Sequence, residues 1–177
     1  MIVQDKTDLP VFSTAIDLCL FHAPHHCIVG IDCEWRPYRG TGEENSQSRV
    51  ALLQIAMRHG VFLVDLQTLM AEVTRDPQLE VSLDALLGTL FGSEVVVKVG
   101  FDVSSDLERL SASYPDMPCF RRVQSVLDLG RVPKPGLTKT KNLSLSKLSV
   151  GLLGKGLDKT QQTSEWHLRP LTDDQVT

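Results

Sequence analysis

The chain has 177 residues, of which 42% are hydrophobic and 23% charged, and its formal net charge is −4. This size and balance predict a single α/β domain over residues 1–177. No apolar run approaches the ~20 residues of a membrane-spanning helix, and the first ten residues are too polar for a secretory signal. We therefore expect an intracellular protein without a membrane partner.

The first half of the sequence contains one helical pattern followed by three strand patterns. Residues 10–21 have apolar positions at helical spacing, with proline at a plausible first-turn position. Strand patterns follow at residues 28–35, 50–57 and 61–65. Because only three residues separate the last two strands, we expect a hairpin that pairs them in antiparallel fashion.

Helical and strand patterns alternate in the second half of the chain. Helices are predicted at residues 79–91, 103–110 and 143–153, and strands at residues 95–99 and 124–129. Glycines end the first and the last of these helices. Three strands with short connections, followed by alternating helices and strands, predict a mixed sheet with helices against its faces. The sequence contains no evident internal repeat or second domain.

The four cysteines form no C-x-x-C pair, and we expect them to be reduced thiols. They are Cys19, Cys27, Cys33 and Cys119. Three histidines, His22, His25 and His26, lie within the five residues before Cys27 in the stretch HAPHHC. We interpret this stretch as a solvated loop rather than a zinc site, because consecutive side chains do not all converge on one tetrahedral ion.

Positive charge is concentrated in the C-terminal third of the chain. Residues 121–159 contain nine Lys or Arg and two acids, whereas the remainder contains nine bases and twenty acids. This asymmetry is compatible with a phosphate-binding surface and equally with an ordinary solvated surface. Lys139, Lys141 and Lys147 are the candidates for contacts with nucleic-acid phosphates.

The stretch IVGIDCEW, residues 28–35, places two acids in an otherwise apolar strand. Because side chains alternate along a strand, Asp32 and Glu34 share one face, and the opposite face is apolar. Two carboxylates about 4 Å apart repel by about 4 kcal/mol at a surface-like dielectric constant. Oxygen donors without histidine or thiolate favour Mg²⁺ or Mn²⁺ over zinc. On this stretch alone, a metal site and a solvated strand end are both open.

A second acidic position follows in KVGFDVSSDLERL, residues 98–110, which run from a strand into a helix. Val103 and Leu110 lie on the inward stripe of that helix, and Asp106 lies at its margin. Asp102 has a structural role available as the N-cap of the helix. Asp106 has no comparable structural role, which makes it the third candidate acid.

These segments, together with RVALLQIA, VFLVDL and GLDKTQQTSEWHLRPLTDDQ, resemble the DEDD 3′–5′ exonucleases. The resemblance is to the branch of ribonuclease D and the Werner-syndrome exonuclease, and most of all to its Nibbler-like RNA-trimming members. It implies a ribonuclease H-like mixed sheet, with three antiparallel strands and then parallel strands, flanked by helices. It also implies hydrolysis of single-stranded RNA or DNA from the 3′ end, with release of nucleoside 5′-monophosphates and RNA as the expected substrate.

The family resemblance further implies a site with two Mg²⁺ or Mn²⁺ ions. Asp32 would bridge both ions, Glu34 would hold the ion beside the attacking water, and Asp106 the ion beside the leaving group. In the family, the motif W-x-x-R-P-L-T-x-x-Q continues into a helix with a tyrosine and, four residues later, a fourth aspartate. This sequence ends at DDQVT, so we expect a C-terminally incomplete domain with weak or no activity.

Two functions therefore remain under consideration: a metal-dependent exonuclease, and a non-catalytic module that binds nucleic acid or protein. Two more residues are candidates for nucleic-acid contacts. Trp35 could wedge against the terminal base, although its position in the alternation favours core packing. Gln54 could line the substrate groove or form an internal hydrogen bond. Trp166 and Arg169 are expected to pack and position the end of the domain.

Overall fold

The computed structural model describes residues 1–21, 27–37, 48–132 and 144–176. In these ranges the strands are β1 (Ile2–Val3), β2 (Cys27–Trp35), β3 (Val50–Met57), β4 (Gly60–Val64), β5 (Val96–Gly100) and β6 (Val126–Asp128). The α-helices are α1 (Leu9–Phe21), α2 (Leu66–Glu72), α3 (Pro77–Phe91), α4 (Val103–Ser113), α5 (Leu145–Leu153) and α6 (Asp173–Val176), with a 3₁₀ turn at Pro118–Arg121. None of the helices in the described part of the chain is long and apolar enough to cross a membrane.

The strands form one mixed sheet in the order β1-β4-β3-β2-β5-β6. β2, β3 and β4 are antiparallel neighbours, whereas β5 pairs in parallel with β2, and β6 in parallel with β5. This arrangement confirms the predicted mixed sheet. The carboxyl ends of β2, β5 and β6 consequently lie at the same sheet edge, which is where open α/β sheets bind their ligands.

The main core lies on one face of the sheet. Val29, Ile31 and Cys33 point into it from β2, as the alternation predicted. Helices α1, α2, α3 and α4 contribute buried apolar side chains to the same core. Asp32 and Glu34 therefore lie on the opposite face, where the sheet is covered by the C-terminal segment rather than by these four helices.

The C-terminal segment, residues 155–176, packs on that opposite face through Trp166. Its indole is 5% exposed and contacts a small cluster that contains Leu52 and Leu63. Arg169 anchors the segment by donating hydrogen bonds to both carboxylate oxygens of the buried Asp65. Both expectations for Trp166 and Arg169, that they pack and position the end of the domain, are confirmed.

Most predicted elements are present with ends that differ by at most three residues, and β1 was not predicted. The hairpin is tighter than predicted because Met57 pairs with Gly60. Asp65 belongs to no strand: its carboxylate accepts the Thr68 N–H at 2.9 Å and caps α2, a helix that the sequence patterns missed. Asp102 precedes α4 as predicted, but its side chain makes no capping hydrogen bond, so this part of the prediction was wrong.

The prediction of four reduced thiols was also wrong for one pair. Cys19, near the end of α1, and Cys27, at the start of β2, form a disulfide with their Cα atoms 6.3 Å apart. Cys33 and Cys119 are free and buried. The three histidines of the HAPHHC stretch lie outside the described residues.

Candidate active site

Asp32 and Glu34 lie near the carboxyl end of β2 on the sheet face opposite the main core. Asp32 pairs with Gln54 of β3 in the antiparallel register, and Glu34 pairs with Leu52. Asp32 is exposed and Glu34 partly exposed, whereas Cys33 between them is buried. The two carboxylates therefore share one face at the edge of the sheet, as the alternation predicted.

Gly100 determines how closely α4 approaches the end of β2. A Cβ atom on Gly100 would lie 2.7 Å from the carbonyl oxygen of Ile31 and 2.8 Å from Cβ of Val103, distances that real side chains do not tolerate. Only glycine therefore lets the turn between β5 and α4 pack against the β2 backbone beside Asp32. This close approach brings the first turn of α4, which contains Asp106, next to the acidic strand.

Asp106 is a buried acid, with 7% of its surface exposed. Burial, followed by the charges of Asp32 and Asp102, raises the pKa of Asp106 to about 7, against the opposing effect of Arg109. Repulsion between charges falls with distance, so the effect of Asp32 on the pKa of Asp106 means that their carboxylates lie close to each other. The acids of β2 and α4 therefore share one electrostatic environment.

The pKa of Glu34 is raised as well. Burial, followed by the charges of Asp32 and Asp106, raises the pKa of Glu34 to about 8. Although part of Asp32 is exposed, the protein packed around its carboxylate raises its pKa, and the hydrogen bond that the Cys33 N–H donates to this carboxylate at 3.0 Å opposes the change. Asp32 is the acid that perturbs both of the others. In the absence of a cation, the three negative charges destabilise one another, and either protons or a divalent cation would relieve this repulsion.

The three acids line two different cavities. Asp32 and Glu34 border a cavity of about 440 Å³ whose far wall is formed by the C-terminal segment. Asp106 borders a second cavity of about 730 Å³, together with Trp35 and Arg109. Across the described ranges, no group of three or more His, Cys, Asp or Glu side chains is arranged so that it could hold a metal ion. The acids are thus electrostatic neighbours without forming a closed set of ligands.

Gln54 contacts the acidic pair directly. Its Nε2 donates a hydrogen bond to Oε1 of Glu34 at 3.2 Å, and its side chain lines the same cavity as Asp32. This is the internal hydrogen bond that was one of the two roles predicted for Gln54. Its contact with nucleic acid remains a prediction.

Trp35 is partly buried and packs against the main core. The guanidinium of Arg109 lies over its ring, 4.3 Å from the centroid, and donates a hydrogen bond to the Ser48 carbonyl at 3.0 Å. One face of the indole is therefore covered by a cation from α4. A contact between Trp35 and a terminal base remains a prediction and would have to use another part of the ring.

The predicted phosphate-binding lysines fall partly outside the described residues. Lys139 and Lys141 are among the residues that are not described, whereas Lys147 is exposed in the first turn of α5. The sequence patterns missed Lys159, which is exposed and borders the same cavity as Asp32 and Glu34. Its only sequence signal was its position in the basic region, which nine cations share.

Asp128, at the end of β6, is a further acid near the site that the sequence patterns did not single out. Its Oδ1 accepts the backbone N–H of Asp102 at 3.1 Å and that of Gly130 at 2.8 Å. Asp102 itself has a left-handed backbone with φ of 59°. Asp128 therefore stabilises the unusual turn that leads into α4. Its position at the end of a parallel strand was the signal that could have identified it.

Comparison with known proteins gives the family. Residues 12–177 match the 3′–5′ exonuclease family. The chain belongs to this family. The human exonuclease mut-7 homolog is 32% identical over 162 residues, which is 85% of this chain and 18% of that protein. The chain thus spans about a fifth of the length of this relative.

Solved structures of exonucleases share the fold. The EXO domain of Aedes aegypti Nibbler has a TM-score of 0.70 and 24% sequence identity, with 99% of this chain and 78% of that one covered. The complex of Trypanosoma brucei RNase D with RNA U12 has a TM-score of 0.65 and 20% identity, with 99% and 56% covered. The ribonuclease H-like fold that the resemblance implied is therefore confirmed.

Exonucleases of this family generally use divalent metal ions. The chemistry of the acidic site fits such ions, because its donors are carboxylate oxygens, which magnesium and manganese prefer. The raised pKa values of Glu34 and Asp106 are also what a nearby cation would reverse. The side chains of Asp32, Glu34 and Asp106 would have to converge when the ions bind.

Proposed function

We propose that this chain forms the catalytic site of a 3′–5′ exonuclease that uses two divalent cations, Mg²⁺ or Mn²⁺, and acts on single-stranded RNA. The observation that carries the proposal is that three carboxylates at the carboxyl edge of the sheet share one electrostatic environment, in which the charge of Asp32 raises the pKa of both Glu34 and Asp106. These carboxylates come from two separate elements: Asp32 and Glu34 lie on β2, and Asp106 lies on α4, 72 residues after Glu34. An acid in a structural ion pair would have a lowered pKa, whereas the pKa of each of these three carboxylates is raised.

The three acids would act as cation ligands in the reaction. Bound divalent cations supply the chemistry that activates water and stabilises the oxygens of the phosphodiester as it is hydrolysed. Asp32 is suited to the shared position because its charge affects both Glu34 and Asp106. Glu34 would lie on the side of the attacking water and Asp106 on the side of the leaving group. Nucleoside 5′-monophosphates would be the products.

Single-stranded nucleic acid is proposed as the substrate because of the cavity beside Asp32 and Glu34, and RNA is preferred over DNA only by family resemblance. Its wall combines exposed Lys159, which can pair with a phosphate, with Phe101 and Leu157, which offer apolar surface to a base. The structural relative from Trypanosoma brucei was solved with RNA. The basic residues Lys139, Lys141 and Lys147 remain proposed phosphate contacts, and an intracellular location remains a prediction.

A labelled single-stranded RNA tests the function. With Mn²⁺ present, any shortening of a 5′-labelled RNA by the wild-type chain, which we expect to be weak, should proceed from the 3′ end with release of 5′-monophosphates, and Glu34→Gln should abolish it. A 3′-phosphate or blocked 3′ end on the same RNA should slow the reaction. Internal cleavage, or trimming that persists in Glu34→Gln and Asp32→Asn, would refute the assignment of the site.

A second candidate function is a non-catalytic module that binds nucleic acid. It is favoured by one observation: within the described residues, the acids do not form a group that could hold a metal ion. A thermal shift assay separates the two candidates. Mn²⁺ should raise the melting temperature of the wild-type chain but not that of Asp32→Asn. RNA binding without any response to Mn²⁺ or Mg²⁺ would favour the binding module instead.

A further inference from the structure

We infer that Gln54 is a positioning residue: it holds the carboxylate of Glu34 in the orientation needed for cation binding. The inference rests on the proposed metal site and assigns Gln54 a role toward the protein rather than toward the nucleic acid. Its basis is the hydrogen bond from Nε2 of Gln54 to Oε1 of Glu34 at 3.2 Å.

The sheet places Gln54 rigidly beside both acids of β2. Gln54 lies directly opposite Asp32 in the antiparallel register and diagonal to Glu34, on the same face. Its backbone is held on both sides, because β3 pairs with β2 and also with β4, where Gln54 faces Leu63. The amide is therefore supported by a strand with neighbours on both sides, whereas Glu34 lies beyond the part of β2 that pairs with β5.

The chemistry of an amide suits this role. The Nε2 donor occupies one oxygen of Glu34 and leaves Oε2 available to a cation. Because the amide carries no charge, it orients the carboxylate without neutralising it and without repelling a cation. A lysine or arginine at this position would neutralise the carboxylate and repel the cation. Hydrogen-bonding partners of metal ligands generally have this function, and their removal lowers metal affinity by about 10- to 100-fold.

Binding of Mn²⁺, measured by isothermal titration calorimetry on the 177-residue chain, tests the inference independently of catalysis. Gln54→Met keeps the length of the side chain and removes the donor, and Gln54→Asn keeps an amide that is too short to reach Glu34. Both should raise the Mn²⁺ dissociation constant by about 10-fold or more. Binding of a short single-stranded RNA in EDTA, followed by fluorescence anisotropy, measures in the same variants whether Gln54 also contacts nucleic acid.

Gln67→Met is the matched control. Gln67 is another glutamine whose Nε2 donates a hydrogen bond, at 3.0 Å to the His167 carbonyl, but it does not border the cavity of Asp32 and Glu34. Its loss should leave Mn²⁺ affinity unchanged. Thermal unfolding in EDTA establishes that each variant is folded, and if Gln54→Met is not, Gln54→Asn decides the outcome.

Each outcome discriminates between the possible roles. Unchanged Mn²⁺ affinity in a folded Gln54 variant would overturn the positioning role while leaving the proposed metal site intact. Weakened RNA binding together with unchanged Mn²⁺ affinity would assign Gln54 to the nucleic acid instead. A wild-type chain that binds no Mn²⁺ would overturn the metal site itself and, with it, any role of Gln54 toward that site.

Discussion

Replacing Glu34 by glutamine should stabilise the metal-free protein, although Glu34 is a proposed metal ligand. The pKa of Glu34 is raised from 4.5 to about 8, first by burial and then by Asp32 and Asp106. A folded-state pKa above the unfolded value means that protonated Glu34 favours the folded state below about pH 4.5. That contribution is lost as the pH rises through about 8. Glutamine is uncharged at every pH and can still accept the hydrogen bond from Gln54.

The expected gain follows from the pKa difference. At about 1.4 kcal/mol per pKa unit, the full difference would correspond to about 5 kcal/mol. Glu34 is partly exposed and borders a cavity that water can enter, so screening reduces the gain to about 1–2 kcal/mol. For a chain of this size, the melting temperature should rise by about 2–8 °C. The gain should be present at about pH 9 and absent at about pH 5, where the folded state of the wild-type chain protonates Glu34.

Thermal unfolding in EDTA, followed by circular dichroism at both pH values, measures this effect. Glu108→Gln is the matched control, because Glu108 is an exposed acid on the same helix as Asp106 and its replacement changes the net charge equally. It should change the melting temperature little at either pH. Adding Mn²⁺ should reverse the order, so that the wild-type chain becomes more stable than Glu34→Gln. A Glu34→Gln variant that melts at or below the wild-type temperature in EDTA at about pH 9 would refute the reasoning.

Three further predictions concern the packing that positions the site. Gly100→Ala should lower the free energy of unfolding by about 1–3 kcal/mol, because the added Cβ would displace α4 from β2. It should also reduce the rise in melting temperature that Mn²⁺ causes. Gly88→Ala is the control in the same melting experiment and should have neither effect, because its Cβ would make an ordinary 3.8 Å contact. Arg169→Met should lower the free energy of unfolding, measured in urea, by about 3–5 kcal/mol, because the Asp65 carboxylate would stay buried without its cationic partner. Adding Asp65→Asn to the same chain should recover part of this free energy. Dithiothreitol should lower the stability of the wild-type chain by about 2–3 kcal/mol, as expected for a short closed loop, but should have no such effect on Cys19→Ser.

The local order of residues was sufficient to predict every described strand except β1, and most of the described helices. In residues 28–35 the alternation of apolar and acidic side chains also predicted which face Asp32 and Glu34 share, because side-chain direction in a strand depends only on position. The choice of Asp106 over Asp102 as the buried acid followed in the same way from helical spacing. α2 was missed because its start depends on Asp65, which the pattern assigned to the preceding strand.

Contacts between distant residues could be decided only by the tertiary structure. The sequence contains no signal that Arg169 pairs with Asp65, 104 residues earlier, or that Cys19 bonds with Cys27. The close approach of α4 to β2 depends on the space left by Gly100, and the raised pKa of Glu34 on burial and on charges from another element. Periodicity reports the direction of a side chain along its own element. Distance, burial and mutual repulsion arise only when separate elements pack together, and these determine whether the acids can act as one site.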